Sequence, residues 1–340
     1  KALSPRALIL VAGCGAAAAL TAAAASLNIS GSLFADTYRI DALSQCFKAL
    51  VALGFLVTVL LSDDAVAIPT VRMPEYYLFA ASGALGMMMI PSSVDLITLY
   101  VSLELSSYSL SLLTAMKLDR RNAESAVKYL ILGAAASGVF LWGASLVVGQ
   151  AGTASFAAIA AQPDLLSQPA FLLGIVFMLF SFLFKLSAFP VHFWAPDVYE
   201  AAATPVTAFI ATASKVAAVA VLVRVLMILD MSPSLASLLG LFAFISMTLG
   251  NTVALVQTDV KRLLAYSSVA QAGYILLGLL AGSPEGYATS LFYALAYLLM
   301  NAGVFVVVTA VGQASHRDNP QLSAVDGPAV RSPDRWLLFP

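Results

Sequence analysis

The stretch FLLGIVFMLFSFLFKLSAFP, residues 171–190, decides how this chain folds. From Phe171 to Phe184 it carries no charge, and a long run of this kind reads as a membrane-crossing helix. Lys185 then sets an ammonium inside the apolar stretch, and Pro190 follows. Proline cannot donate to the carbonyl of Leu186, four residues back, so the helix is expected to break or kink there. Broken helices at membrane depth are tolerated only where they line a cavity or are buried in protein. They also recur at transporter binding sites.

The rest of the chain agrees with a membrane reading. Of its 340 residues, 61% are hydrophobic and 10% charged, with a mean hydropathy of +0.92. That is more apolar surface than a soluble domain can hide, so the fold class is an all-α polytopic membrane protein. A net charge of -1 gives no signature of nucleic-acid binding. Two cysteines, Cys14 and Cys46, and two histidines, His192 and His316, exclude several chemistries. They offer no disulfide framework or zinc spacing. They also lack the thiolates of an iron–sulfur cluster and the paired histidines of a membrane haem. Gly13–Cys14–Gly15 follows no strand and is not a nucleotide site. No cofactor or metal is therefore expected in this chain.

Hydropathy and turn residues place ten spans at 7–27, 45–61, 75–91, 93–116, 124–149, 170–190, 204–229, 235–257, 263–281 and 286–312. Residues 1–340 read as one transmembrane domain, with short loops and no soluble insert. The apolar run after Lys1 and Arg6 reaches Leu27, which favours a spanning helix over a signal peptide. The chain begins at Lys1 and ends at RWLLFP, which resembles the opening of another span, so a piece of a longer protein is expected.

Cations divide unevenly. Lys1, Arg6, Arg72, Lys117, Arg120, Arg121, Lys128, Lys261, Arg262, Arg317, Arg331 and Arg335 fall on one side, and Arg39 and Lys48 on the other. By the positive-inside rule the first side faces the cytoplasm, matrix or stroma. Lys261–Arg262 and the Asp119–Lys128 segment read as loop charges that set topology or touch a partner subunit. Trp142, Trp194 and Trp336 read as interface anchors.

Three charges lie inside spans where snorkelling is difficult: Glu104, Lys185 and Lys215. A central charge costs at least ~3 kcal/mol, so such residues mark ion or proton pathways by default. Glu104 is about eleven residues into its span, or roughly 16 Å at the helical rise, among Ser102, Ser106, Ser107, Tyr108 and Ser109. Lys185 precedes the break, and Lys215 lies beside Thr212 and Ser214. A buried lysine exchanges its proton readily, whereas arginine stays charged. Glu104 and Lys185 are placed to pair, which would make an electrostatic switch. The structural alternative for each is a charge held for packing.

Arg224, nearer a span end, reads as snorkelling. His192 reads either as a proton relay or as a packing residue. Tyr293, Tyr297 and Asn301 share one helix face, as do Ser267, Gln271 and Tyr274. Such faces suit a file of waters or interhelical hydrogen bonds.

Four segments carry a family likeness: DLITLYVSLELSSYSL at 95–110, AVKYLILGAAASG at 126–138, FKLSAFPVHFWAPDVYEAAATPVTAF at 184–209, and NTVALVQTDVKRLLAYSSVAQAGYILLG at 251–278. Together they resemble the antiporter-like membrane subunits of respiratory complex I, the NADH:quinone oxidoreductase, over residues 30–313. The second and third lean toward the subunit N (subunit 2) branch. The resemblance implies a fourteen-helix fold with two inverted five-helix repeats, each with a broken helix. Here the first repeat would be 75–230 and 235–340 an incomplete second. It implies a Glu104–Lys185 charge pair with Lys215 relaying onward, and leaves the family's terminal relay residue without a counterpart. NADH, FMN, iron–sulfur clusters and quinone would belong to partner subunits, both membrane and peripheral. The setting would be an energy-transducing membrane: a bacterial inner membrane, thylakoid or mitochondrial inner membrane.

Three functions follow. The chain is a proton-translocating subunit of a complex I-type enzyme, with no redox site of its own. Alternatively it serves a multisubunit Na⁺/H⁺ antiporter or a membrane-bound hydrogenase, or it is a non-conducting scaffold in which the lysines tolerate neutral substitution.

Overall fold

The computed structural model describes residues 5–62, 67–227 and 233–315. Its helices are α1 (Pro5–Ala25), α2 (Ala42–Ser62), α3 (Met73–Met89), α4 (Leu96–Thr114), α5 (Arg120–Ala151), α6 (Phe156–Ala160), α7 (Pro169–Leu186), α8 (Trp194–Ala201), α9 (Thr204–Phe209), α10 (Lys215–Leu226), α11 (Pro233–Ala254), α12 (Val260–Leu280) and α13 (Pro284–Ser315). A π-helical turn, Ile210–Ser214, joins α9 to α10 in one span. Among the described residues nine spans are long and apolar enough to cross a bilayer, and α3, at 17 residues, is the tenth of those expected. The protein is an integral membrane protein.

One element departs from the all-helical expectation. A small antiparallel hairpin pairs β1 (Gly31–Leu33) with β2 (Tyr38–Ile40), Gly31 opposite Ile40. It sits between α1 and α2, and Tyr38 also bridges to Ser93.

The spans are layered around α9–α10. Every residue from Thr204 to Leu226 is buried, although no flanking helix approaches that value. A helix apolar on all sides belongs inside a bundle, and this one packs on α2, α7 and α13. By contrast α5 shows Leu130, Ile131, Leu141 and Trp142 outward, as a lipid-facing helix should.

Several features of α3–α5 recur in α11–α13 at an interval of 164 residues. Asp95 caps α4 and Asp259 caps α12, each accepting from backbone N–H groups of the first turn. Helices α5 and α13 both run 32 residues, starting at 120 and 284. Gly86 lets α3 approach α4 so closely that a Cβ there would lie 2.6 Å from the Ser106 nitrogen. Gly250 does the same for α11, with a Cβ 2.5 Å from the Ala270 nitrogen of α12. Pairs 86/250 and 106/270 keep the same interval.

Several charges are not where the sequence suggested. Lys48 is in α2 rather than an outer loop, and its ammonium sits 4.9 Å from the centre of the Tyr38 ring. Arg224 does not snorkel: its guanidinium is buried and donates to the Pro91 carbonyl at 2.6 Å and to Asp41 at 2.6 Å. The Pro91 carbonyl at a helix join and the nearby carboxylate offer a better seat than a reach to water. Lys1, Asp230, His316, Arg317, Arg331, Arg335 and Trp336, and the side chain of Arg6, lie outside the described residues.

Asp41, just ahead of α2, titrates below its ordinary 3.8. Burial pushes its carboxyl up, but hydrogen bonds from Arg224 and Ser44, with the Arg224 charge, outweigh that. A depressed carboxyl contributes stability above its unfolded value and loses it as pH falls through the folded value. Asp41→Asn should therefore lower the thermal midpoint at pH 7, by an amount equivalent to about 1.5–3 kcal/mol. The gap to wild type should narrow as melts are taken below pH 3.8, where the folded carboxyl begins to protonate.

Candidate functional site: charges around a helix break

The break falls where Pro190 required it, and begins earlier. α7 stops at Leu186, and Ser187 takes a left-handed conformation at φ 59°. The N–H of Ala188 returns to Leu183 at 2.9 Å, and the N–H of Phe189 is held by Ser246 of α11 at 2.9 Å. Lys185 thus lies in the last turn of α7 rather than mid-helix. A cation there meets the negative end of the helix dipole.

The carbonyl of Leu186 is the one that Pro190 cannot serve. Lys215 Nζ donates to it, so the second lysine fills the vacancy left by the first helix's break. The Lys215 ammonium also stands 5.9 Å from the centre of the Trp194 ring, within cation–π range. Lys215 is 2% exposed, and it follows directly on the π-helical turn. Such turns often mark functional positions; nothing in the apolar pattern of 204–229 announced this one.

Lys185 is buried and donates to Ser106 at 2.5 Å and Ser107 at 3.2 Å, both on α4. Glu104, one turn before them, accepts from Ser137 of α5. Glu104 and Lys185 line one cavity of about 40 Å³ together with Ser107, Ser137 and Tyr129. That volume holds a water or two. They are not in ion-pair contact: among the described residues no carboxylate oxygen lies within 4.0 Å of the Lys185 ammonium. The serines of α4 take the lysine instead, and Ser137 takes the acid.

His192 lies in the break against Phe189, with its Nδ1 buried and no partner among the described residues. It is within electrostatic reach of Lys215. Trp194 is not an interface anchor. It is buried, donating from Nε1 to the Phe184 carbonyl at 3.0 Å.

The polar ladders of α12 and α13 meet at Gln271 and Tyr293. Tyr293 donates to Gln271, and Asn251 donates to the Tyr274 hydroxyl at 3.1 Å. Asn301 bonds back to the Tyr297 carbonyl of its own helix at 2.9 Å. Ser268, next to Ser267, is buried beside Tyr199 and Tyr297. The hydroxyls of Tyr199 and Tyr297 are buried without a partner among the described residues. Tyr199 was not singled out, since a tyrosine in a short amphipathic helix looks like ordinary packing.

The charges of 259–262 are not loose loop charges either. Lys261 is 0% exposed and donates to the Ala202 carbonyl at 2.9 Å, and Arg262 pairs with Asp197 and Glu200.

A family model described as NADH:quinone oxidoreductase/Mrp antiporter, transmembrane, matches residues 93–328. The chain is 42% identical over 317 residues to NADH-quinone oxidoreductase subunit N 2 of Syntrophobacter fumaroxidans, covering 92% of this chain and 67% of the relative. A chain of respiratory complex I from Thermus thermophilus with bound Aureothin superposes with a TM-score of 0.79 at 35% identity, over 90% of this chain and 66% of that one. A chain of the Mrp complex from Dietzia sp. shares the fold, with a TM-score of 0.82 at 21% identity over 94% of this chain and 62% of that one. The chain spans about two thirds of the length of these proteins.

The close approach of α3 to α4 gives a test of how Lys185 is seated. Gly86→Val should push α4 away at Ser106 and cost about 1–3 kcal/mol by overpacking. The expected readings are a lower thermal midpoint in detergent and faster hydrogen exchange at the α3–α4 contact. The charged axis at the helix break and the family match agree: the chain belongs to the NADH:quinone oxidoreductase/Mrp antiporter transmembrane family.

Proposed function

We propose that this chain is a proton-translocating membrane subunit of a complex I-type NADH:quinone oxidoreductase. Electron transfer would occur in partner subunits that hold NADH, FMN, iron–sulfur clusters and quinone. The setting is an energy-transducing membrane. The observation that carries the reading is a pair of buried lysines with neutral partners at one helix break, Lys185 lining a water-sized cavity together with Glu104.

The chemistry follows from that layout. An ammonium without a counter-ion in a low-dielectric bundle is poised to release its proton. Lys185 has two alternative partners: the serine hydroxyls it now holds, and Glu104, which lines the same cavity. Moving to Glu104 would favour the charged lysine, and returning to the serines would favour release. Lys215, one helix away and across the break, would take the proton onward. His192, Tyr297, Tyr293, Asn301, Gln271 and the Ser267–Ser268 segment would extend the file into the second repeat. The 164-residue interval supports repeats at 75–230 and 235–340.

A Na⁺/H⁺ antiporter subunit is the second reading, favoured by the shared fold of the Mrp chain. The site chemistry argues for protons. Two ammoniums repel Na⁺, and a sodium ion needs a shell of oxygen ligands, which lysines do not supply.

In the intact complex in proteoliposomes, Lys185→Met should lower quinone reduction and proton uptake together, at least tenfold. Unchanged rates of both would make the lysine structural and favour a scaffold. Loss of Na⁺ rather than H⁺ movement would favour the antiporter.

A further inference from the structure

Helix α8 is a short buried segment between the break and α9, and besides bonds to Phe184 of α7 and Thr207 of α9 it is held by polar side chains of two distant spans. From α5, Arg121 pairs with Glu200 at 2.5 Å, Lys128 with Asp197 at 3.3 Å, and Ser125 donates to the Asp197 carbonyl at 3.0 Å. Asn122 donates to the Ala201 carbonyl at 3.2 Å and to Thr114 at 2.5 Å. From α12, Arg262 reaches Asp197 at 3.2 Å and Glu200 at 3.0 Å, and Lys261 donates to the Ala202 carbonyl at 2.9 Å. Ala201 and Ala202 expose the orphan carbonyls of the helix end, and a buried cation there also meets the dipole.

The opposite end of α8 is Trp194, whose ring lies beneath the Lys215 ammonium and against Tyr129 at 4.7 Å between centroids. The segment 187–203 is thus bracketed by two buried lysines, each on a backbone carbonyl: Lys215 on Leu186 and Lys261 on Ala202. Helices α5 and α12 belong to different repeats by the 164-residue interval.

We infer that Lys261 and Arg262 are positioning residues for Lys215: by gripping α8 from the second repeat, they fix Trp194 and the Leu186 carbonyl on which the Lys215 ammonium sits. Lys261 acts as a hydrogen-bond donor to Ala202 and carries no transported proton. The inference rests on the proton-translocation reading. It makes the two repeats one mechanical unit at α8, so a disturbance of the α12 N-terminus reaches the charges of the first repeat.

Four variants of the intact complex in proteoliposomes test it, normalised to assembled complex: Lys261→Met, Lys261→Gln, Arg262→Gln and Lys215→Met. Lys261→Met should lower coupled proton uptake at least fivefold. Lys261→Gln keeps a donor for Ala202 without a titratable charge, and should recover most of that loss. If glutamine is as poor as methionine, the charge matters rather than the position, and the inference falls. If methionine matches wild type, it also falls. Should Lys261→Met fail to assemble, Arg262→Gln carries the test. It should lower uptake at least twofold and loosen protection of the α8 amides against hydrogen exchange; wild-type values for both would overturn the inference. Lys215→Met separates the two layers: wild-type uptake there would sink the translocation reading itself, whereas loss there with unaffected Lys261 variants would sink only the positioning role.

Discussion

Burying the Lys215 ammonium is the constraint on which the rest depends. A lysine at mid-membrane costs at least ~3 kcal/mol, and here its hydrogen-bond acceptor is a backbone carbonyl rather than a carboxylate. That carbonyl has no helical partner because α7 ends at Leu186, and Pro190 cannot supply one. The helix break and the second lysine therefore explain each other. Without the break Lys215 would lack an acceptor, and without Lys215 the Leu186 carbonyl would be a buried orphan.

The same logic runs outward. The π-helical turn at 210–214 sits just before Lys215, in the one span that is buried on every side. Serines of α4 hold Lys185 from a helix that Gly86 allows to come close. Glu104 is kept apart by Ser137. The acid and base thus share a water-sized cavity without an ion pair between them, the arrangement from which the proposed switch would start.

Much of this was legible in the residues. Apolar runs gave ten spans because a bilayer demands roughly twenty apolar residues per helix. Three mid-span charges were conspicuous because burial makes them costly. What the sequence hid were contacts between distant segments. Arg224 looked like a snorkelling residue because its partners, Asp41 and Pro91, are 183 and 133 residues away. Lys261 looked like a loop cation because Ala202, 59 residues earlier, is the end of a helix that the pattern did not separate. The 164-residue correspondence between the caps Asp95 and Asp259 was there to compare in the residues, although only the family likeness suggested looking for one.

The most direct test of the central claim is Lys215→Arg in the intact, reconstituted complex. Arginine can donate to the Leu186 carbonyl and keeps the positive charge, but it does not release its proton. The account predicts an assembled complex whose redox-driven proton uptake is lost. Wild-type uptake in that variant would mean that the charge at Lys215 is needed only to hold the helix break, and that protons travel elsewhere.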